Sequence, residues 1–158
     1  AYCVGAVLVD PTNEAEMVAT GYSRELPGNT HAEECCLEKL GVGVKGAKPS
    51  KKTLQLLGRG LVLYTTMEPC SRRLSGKRSC TQRILDLQKL STFHITRVVV
   101  GALEPSTFVK DCQGVKLLRA ANIQVDIMED SAIAAACLAP NKHVLGKPDP
   151  PPKQRAAQ

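Results

Sequence analysis

The sequence has no tryptophan, and its 158 residues include only three tyrosines and two phenylalanines. So few aromatic side chains cannot line a stacking platform for single-stranded bases. No apolar run reaches the roughly 18 residues of a membrane-spanning helix. The opening apolar segment, residues 2–9, lacks the basic start and small-residue ending of a signal peptide. A disulfide framework is missing too. The seven cysteines (3, 35, 36, 70, 80, 112 and 137) are odd in number and widely spaced. Reduced thiols in a cytoplasmic or nuclear setting, some of them held by a metal, are the simpler reading.

What is present is ordinary for one globular domain. Hydrophobic residues make up 43% of the chain. A domain of this length buries roughly 70% of its unfolded surface and needs no cross-links. The net charge of +6 suits an anionic partner, a phosphorylated small molecule or a nucleic acid. The scarcity of aromatics favours the small molecule.

Residues 2–9 and 17–22 read as two strands joined by the turn Asp10-Pro11-Thr12-Asn13. A helix is expected from Thr30, because Thr30-His31-Ala32-Glu33 has the form of a capping box and Cys36, Leu37 and Leu40 supply an apolar stripe. Gly41 and Gly43 end it. Residues 45–60 are basic and read as a solvated loop or short irregular element. Strands follow at 61–67, 95–102 and 123–128. Helices are expected at 80–90, at 114–122 with Val115, Leu118 and Ala121 on one face, and at 131–138. This order predicts an α/β fold: a mixed sheet with helices on both faces, in one domain over residues 1–145. Residues 146–158 read as a Pro- and Lys-rich tail.

The chemistry concentrates in two short stretches. His31-Ala32-Glu33 opens a helix. Pro69-Cys70 follows a strand, and Cys80 starts the next helix. One imidazole and two thiolates make a three-ligand zinc set that leaves a position open for water. A carboxylate that is not a ligand, Glu33, can then shuttle protons. The order His-x-Glu, then Pro-Cys, then Cys is that of the zinc deaminases that act on bases. The spacing differs, since nine residues lie between Cys70 and Cys80 where that pattern has two. They include Arg72, Arg73, Lys77 and Arg78 around Gly76, donors suited to phosphate oxygens. Plainer readings stand beside these. Glu33 could serve only the capping box. Cys70 could be an ordinary buried thiol. Cys35, four residues after His31 on the same helix face, could replace Cys80 as a ligand. His94 and His143 read as solvent or core histidines.

At these residues the chain resembles the cytidine deaminase-like superfamily. Val4-Gly5-Ala6-Val7-Leu8-Val9 is similar to its first strand, and Leu63-Tyr64-Thr65-Thr66-Met67-Glu68-Pro69-Cys70 to its third-strand signature. Within the superfamily the chain looks most like the riboflavin-biosynthesis deaminases. The long insertion carries this, together with Val98-Val99-Val100-Gly101, Glu104-Pro105, Val109, Gly114, Leu118, Ala121, Ile123 and Val125. Arg72-Arg73-Leu74-Ser75-Gly76-Lys77-Arg78-Ser79-Cys80 resembles the fungal branch. The resemblance covers residues 2–128.

It implies a three-layer α-β-α sandwich around a mixed five-stranded sheet. It also implies hydrolytic loss of an exocyclic amino group from a diamino-ribitylamino-pyrimidinone 5′-phosphate. His31, Cys70 and Cys80 would bind Zn2+, with Glu33 as proton shuttle. Asn29, Thr30, Arg72, Ser75, Gly76, Lys77 and Arg78 would meet substrate. Two departures stand out. Ala1-Tyr2 occupy the place of an Asn-Pro pair, and the helix that usually precedes the first strand is not in this sequence. No reductase pattern follows within these residues. A nucleotide or tRNA-base deaminase is the alternative enzyme, and an inert zinc-stabilised subunit the alternative of another class. The expected partners are the phosphorylated pyrimidine and a second copy in a homodimer, without membrane and with nucleic acid disfavoured.

Overall fold

The structure is a computed structural model that describes residues 2–13, 15–90, 93–105 and 111–145. Val109 and the proposed tail lie outside the described residues. Five strands form one sheet: β1 (Gly5–Asp10), β2 (Glu16–Tyr22), β3 (Gly60–Met67), β4 (His94–Ala102) and β5 (Gln124–Ile127). Their order is β2-β1-β3-β4-β5. β1 runs antiparallel to both β2 and β3, while β3, β4 and β5 are parallel. The mixed sheet expected from the sequence is therefore the one observed.

The parallel strands are joined by helical crossovers, as parallel pairing requires. Helices α1 (Ala32–Lys39), α3 (Cys80–Leu87) and α4 (Gly114–Ala120) pack together along one face, and α5 (Ser131–Leu138) lies against β3 and β4. The core between sheet and helices comes from alternate strand positions. Leu8, Leu61, Leu63, Ile95, Val98 and Val100 face Cys36, Leu37, Ile84, Leu87 and Leu118. Burying one such aliphatic side chain contributes about 1.5–3 kcal/mol, so this layer dominates stability. No helix is long and apolar enough to cross a membrane among the described residues.

Several boundaries differ from those expected, each for a local reason. The basic stretch contains a short helix, α2 (Lys51–Gln55). Ser50 caps it, and the buried Thr53 hydroxyl donates to the Leu40 carbonyl at 2.6 Å, docking the turn on the end of α1. Helix α3 stops at Leu87. Ala121 is exposed rather than inward, because α4 ends at Ala120 and the chain turns out through Asn122, whose φ is +61°. Helix α1 begins at Ala32, with His31 as its N-cap, not at Thr30.

Two close approaches place the site. A Cβ on Gly21 would collide with the Ala32 carbonyl, so β2 and the start of α1 lie backbone to backbone. A Cβ on Gly114 would collide with the Pro69 carbonyl, seating α4 on the turn that leaves β3. The C-terminal end of β3 thus meets the N-termini of α1 and α3. In open α/β sheets the strand C-termini are where ligands bind.

Candidate metal centre and its cavity

His31 sits at the N-cap of α1, Cys70 follows β3 and Cys80 is the first residue of α3. His31 Nδ1 lies 3.5 Å from Cys70 Sγ and 3.6 Å from Cys80 Sγ. All three donor atoms fall within 4.8 Å of one another. A tetrahedral zinc with Zn–S of about 2.3 Å and Zn–N of about 2.05 Å sets N and S about 3.6 Å apart. The observed separations are those of a zinc site, and the N, S, S donor set is the borderline-soft set that zinc takes.

The electrostatics agree with the geometry. The Cys80 thiol donates to Cys70, and His31 and the Cys80 amide (3.3 Å) add to it, so Cys70 is held down to about 4. These contacts favour the thiolate form at Cys70. Cys80 is pushed up by donating to Cys70 and by burial. Both thiols stand at helix or strand ends, where the positive end of α3 favours thiolate. A cation is the group that relieves this crowding of donors.

Glu33 is 4% exposed and, among the described residues, forms no ion pair with a lysine or arginine. Burial first, then the Cys70 charge, raises its carboxyl. Its neighbour Glu34 is equally buried. The His31 amide donates to Glu34 Oε2 at 3.0 Å, Arg73 donates to the same oxygen at 2.8 Å, and Arg83 pairs with Oε1. Burial pushes Glu34 up, but the amide and the two guanidiniums outweigh it and hold the carboxyl below its usual range. The reciprocal cap of α1 is therefore Glu34 on His31, not Glu33 on Thr30. The shift of one residue in the helix start frees Glu33 from a capping role.

A cavity of about 320 Å³ opens over these residues. Asn29, Thr30, Arg72 and Ser75 line it, as do His31, Glu33 and Cys70. Gly76, Lys77 and Arg78 are not among its lining residues. Lys77 Nζ donates to the Gly28 carbonyl, while Arg78 pairs with Asp86 at 3.0 Å and the Gly43 carbonyl at 2.9 Å. Thr30 is spent on its own turn, since its hydroxyl donates to the Leu26 carbonyl at 2.8 Å. Cys35 stays outside the metal cluster, its thiol donating to Thr30 Oγ1 at 3.2 Å. His94 and His143 are exposed.

Sequence reasoning gave no role to three groups that line this cavity: Arg24, Glu68 and Glu104. Glu68 is buried, and its two oxygens accept from the Glu104 and Val115 amides at 3.2 and 3.1 Å. It so ties the loop after β4 and the start of α4 to the Pro69-Cys70 turn. Burial pushes Glu104 up to about 7, and its Oε2 is buried with no hydrogen-bond partner among the described residues. The Glu104-Pro105 pair was visible in the sequence; the burial of Glu104 Oε2 was not.

Residues 1–102 match the family described as the cytidine and deoxycytidylate deaminase zinc-binding region. The chain belongs to this family. Its metal is zinc, and all of His31, Glu33, Cys70 and Cys80 fall within the matched residues. A diaminohydroxyphosphoribosylamino-pyrimidine deaminase of Schizosaccharomyces pombe is 51% identical over 125 residues, covering 79% of this chain and 26% of the relative. The riboflavin biosynthesis protein RibD of Aquifex aeolicus is 35% identical, covering 78% of this chain and 28% of its own length. The chain therefore spans about a quarter of these curated relatives. The crystal structure of Aspergillus oryzae Rib2 deaminase in complex with DARIPP superposes with a TM-score of 0.64 at 36% identity, over 79% of this chain and 70% of that one. The fold is the cytidine deaminase-like sandwich.

Proposed function

We propose that the chain removes an exocyclic amino group, by hydrolysis, from a diamino-ribitylamino-pyrimidinone 5′-phosphate in riboflavin biosynthesis. The observation that carries this reading is the cavity itself. Two of the three zinc-type donors, His31 and Cys70, and the buried Glu33 carboxyl line it, together with residues 72–75 of the long basic insertion. The resemblance to deaminases of that pathway supports the choice of substrate.

In this reading His31, Cys70 and Cys80 hold zinc. Bound there, zinc supplies the Lewis acidity that lets water act as a nucleophile near neutral pH. Glu33 takes the proton from the attacking water at its carboxylate and passes it to the ring nitrogen. It then carries the second proton to the departing amine, which leaves as ammonia. Its raised affinity for protons suits a group that must both accept and donate. Glu104, buried and unpartnered at Oε2, offers the pyrimidine a hydrogen-bonding edge. Thiols are free at all seven cysteines, which suits a reducing compartment.

The test is a substrate panel with zinc-loaded protein. Ammonia release is expected from the ribityl diaminopyrimidinone phosphate, ahead of the ribosyl form, cytidine, dCMP and an RNA hairpin. No ammonia from either pyrimidinone phosphate would overturn the reading. Release from the RNA with a steep salt dependence would replace it with a base deaminase of nucleic acid.

A further inference from the structure

Two segments supply much of the cavity lining. One is the connection between β2 and α1, residues 23–30, and the other is the insertion, residues 71–79. They are stitched together, because Arg73 donates to the Asn29 carbonyl at 2.6 Å and Lys77 to that of Gly28. Five cationic side chains belong to these walls: Arg24, Arg72, Arg73, Lys77 and Arg78. Three of them are spent. Arg73 has a side chain only 2% exposed and is consumed by Glu34 and Asn29. Lys77 and Arg78 are turned to backbone carbonyls and Asp86, away from the cavity.

Arg24 and Arg72 remain. Each lines the cavity, one from each wall, and each is exposed. Neither guanidinium has a hydrogen-bond or ion-pair partner among the described residues. Arg24 is also held in place. Its backbone has φ +64°, the left-handed region, and its amide donates to the Thr30 carbonyl at 2.7 Å. An arginine is an unusual choice for such a turn, where asparagine or glycine fits with less strain.

The cavity is therefore graded. Glu33, 4% exposed, and the donor set lie at its inner end, and the two free guanidiniums at its mouth. That grading fits a ligand with a hydrogen-bonding ring at one end and a dianion at the other. Guanidinium forks match phosphate oxygens in pairs.

We propose that Arg24 and Arg72 close on the terminal phosphate of the substrate from opposite walls. They set specificity for the phosphorylated over the unphosphorylated pyrimidine, while Arg73, Lys77 and Arg78 hold the walls together. This rests on the reading of the site as a pyrimidine phosphate deaminase.

The variants are Arg24→Asn, which keeps the left-handed turn, and Arg72→Gln, with Lys116→Gln on exposed α4 surface as a charge-matched control. KM and kcat are measured on the phosphorylated and the dephosphorylated ribityl pyrimidinone. For each variant KM for the phosphorylated substrate is expected to rise roughly tenfold or more, the loss of a charge-assisted contact. With the dephosphorylated substrate neither constant should move. Ribitol 5-phosphate binding to zinc-loaded protein, followed by calorimetry, gives a readout independent of turnover. It should weaken in both variants and not in the control. Unchanged ribitol 5-phosphate binding in both variants, or equal losses on the two pyrimidinones, overturns the clamp. Lack of turnover by the parent protein with intact, Arg24-dependent binding would instead overturn the assigned reaction and leave the clamp standing.

Discussion

On one side of the first turn of α1, Glu34 meets Arg73, Arg83 and the His31 amide; on the other, Glu33 meets His31 and the thiols of the candidate metal centre, with no Lys or Arg ion pair among the described residues. The two are adjacent in sequence, identical in type and almost equally buried, at 4% and 3% exposure. Burial alone raises both carboxyls. What separates them is the company each keeps. Two guanidiniums and an amide more than offset desolvation at Glu34, whereas at Glu33 the His31 charge and the Cys80 thiol do not outweigh burial and the Cys70 charge. Glu34 is thereby a structural hub, linking the cap of α1 to the insertion through Arg73 and to α3 through Arg83. Glu33 is left with a raised affinity for protons, which suits the role proposed for it.

Removing the carboxyl at each position breaks the comparison in two different ways. Glu33→Gln keeps shape and removes the proton shuttle. kcat should fall by about 10²–10⁴-fold, the usual share of general acid–base catalysis, with zinc content by atomic emission and Tm unchanged. Turnover that survives this change would remove Glu33 from the mechanism.

Glu34→Ala should act on the fold instead. It leaves Arg73 buried with one charged partner gone, and breaking a buried pair in this way costs about 3–5 kcal/mol. Urea unfolding of the zinc-loaded protein measures it. In the Glu34→Leu/Arg73→Met double variant, where neither charge remains, much of that loss should return. A loss in the double variant equal to the sum of the losses in Glu34→Leu and Arg73→Met alone would show that the pair is not coupled.

The sequence made the sheet and the candidate metal donors legible for different reasons. Strand positions were readable because β-branched, apolar runs at 61–67 and 95–102 have few alternatives to burial. His31, Cys70 and Cys80 were readable because few residue types can hold zinc and their order constrains them. The insertion was read less well. Its four cations all suit phosphate chemically, yet only Arg72 faces the cavity unpaired. Which guanidinium is free depends on acceptors distant in sequence, such as Glu34, Gly28 and Asp86, and local pattern carries no information about them. The one-residue error in the start of α1 has the same origin. Thr30 and His31 can both precede a helix, and it is the Arg73–Glu34 pair, made across the fold, that accompanies the choice of Glu34 as the capping carboxylate.

Glu104 gives the comparison a third member and its smallest effect. It is only partly enclosed and has no guanidinium beside it, and burial pushes it up to about 7 from an ordinary 4.5. At pH below 4.5 the folded and unfolded chains both hold this proton, and its contribution to stability is fully present. Between 4.5 and about 7 the unfolded chain releases the proton while the folded chain keeps it, so stability falls as pH rises. Above about 7 the slope ends. Glu104→Gln cannot titrate and lacks this slope. The Tm of the parent protein minus that of Glu104→Gln, both at saturating zinc, should therefore decline by a few degrees from pH 4.5 to 7 and then level off. Taking the difference removes the pH dependence of zinc binding common to both. A flat difference would mean that water or a neighbouring donor already satisfies Glu104 Oε2, and would move this residue from the company of Glu33 to that of Glu34.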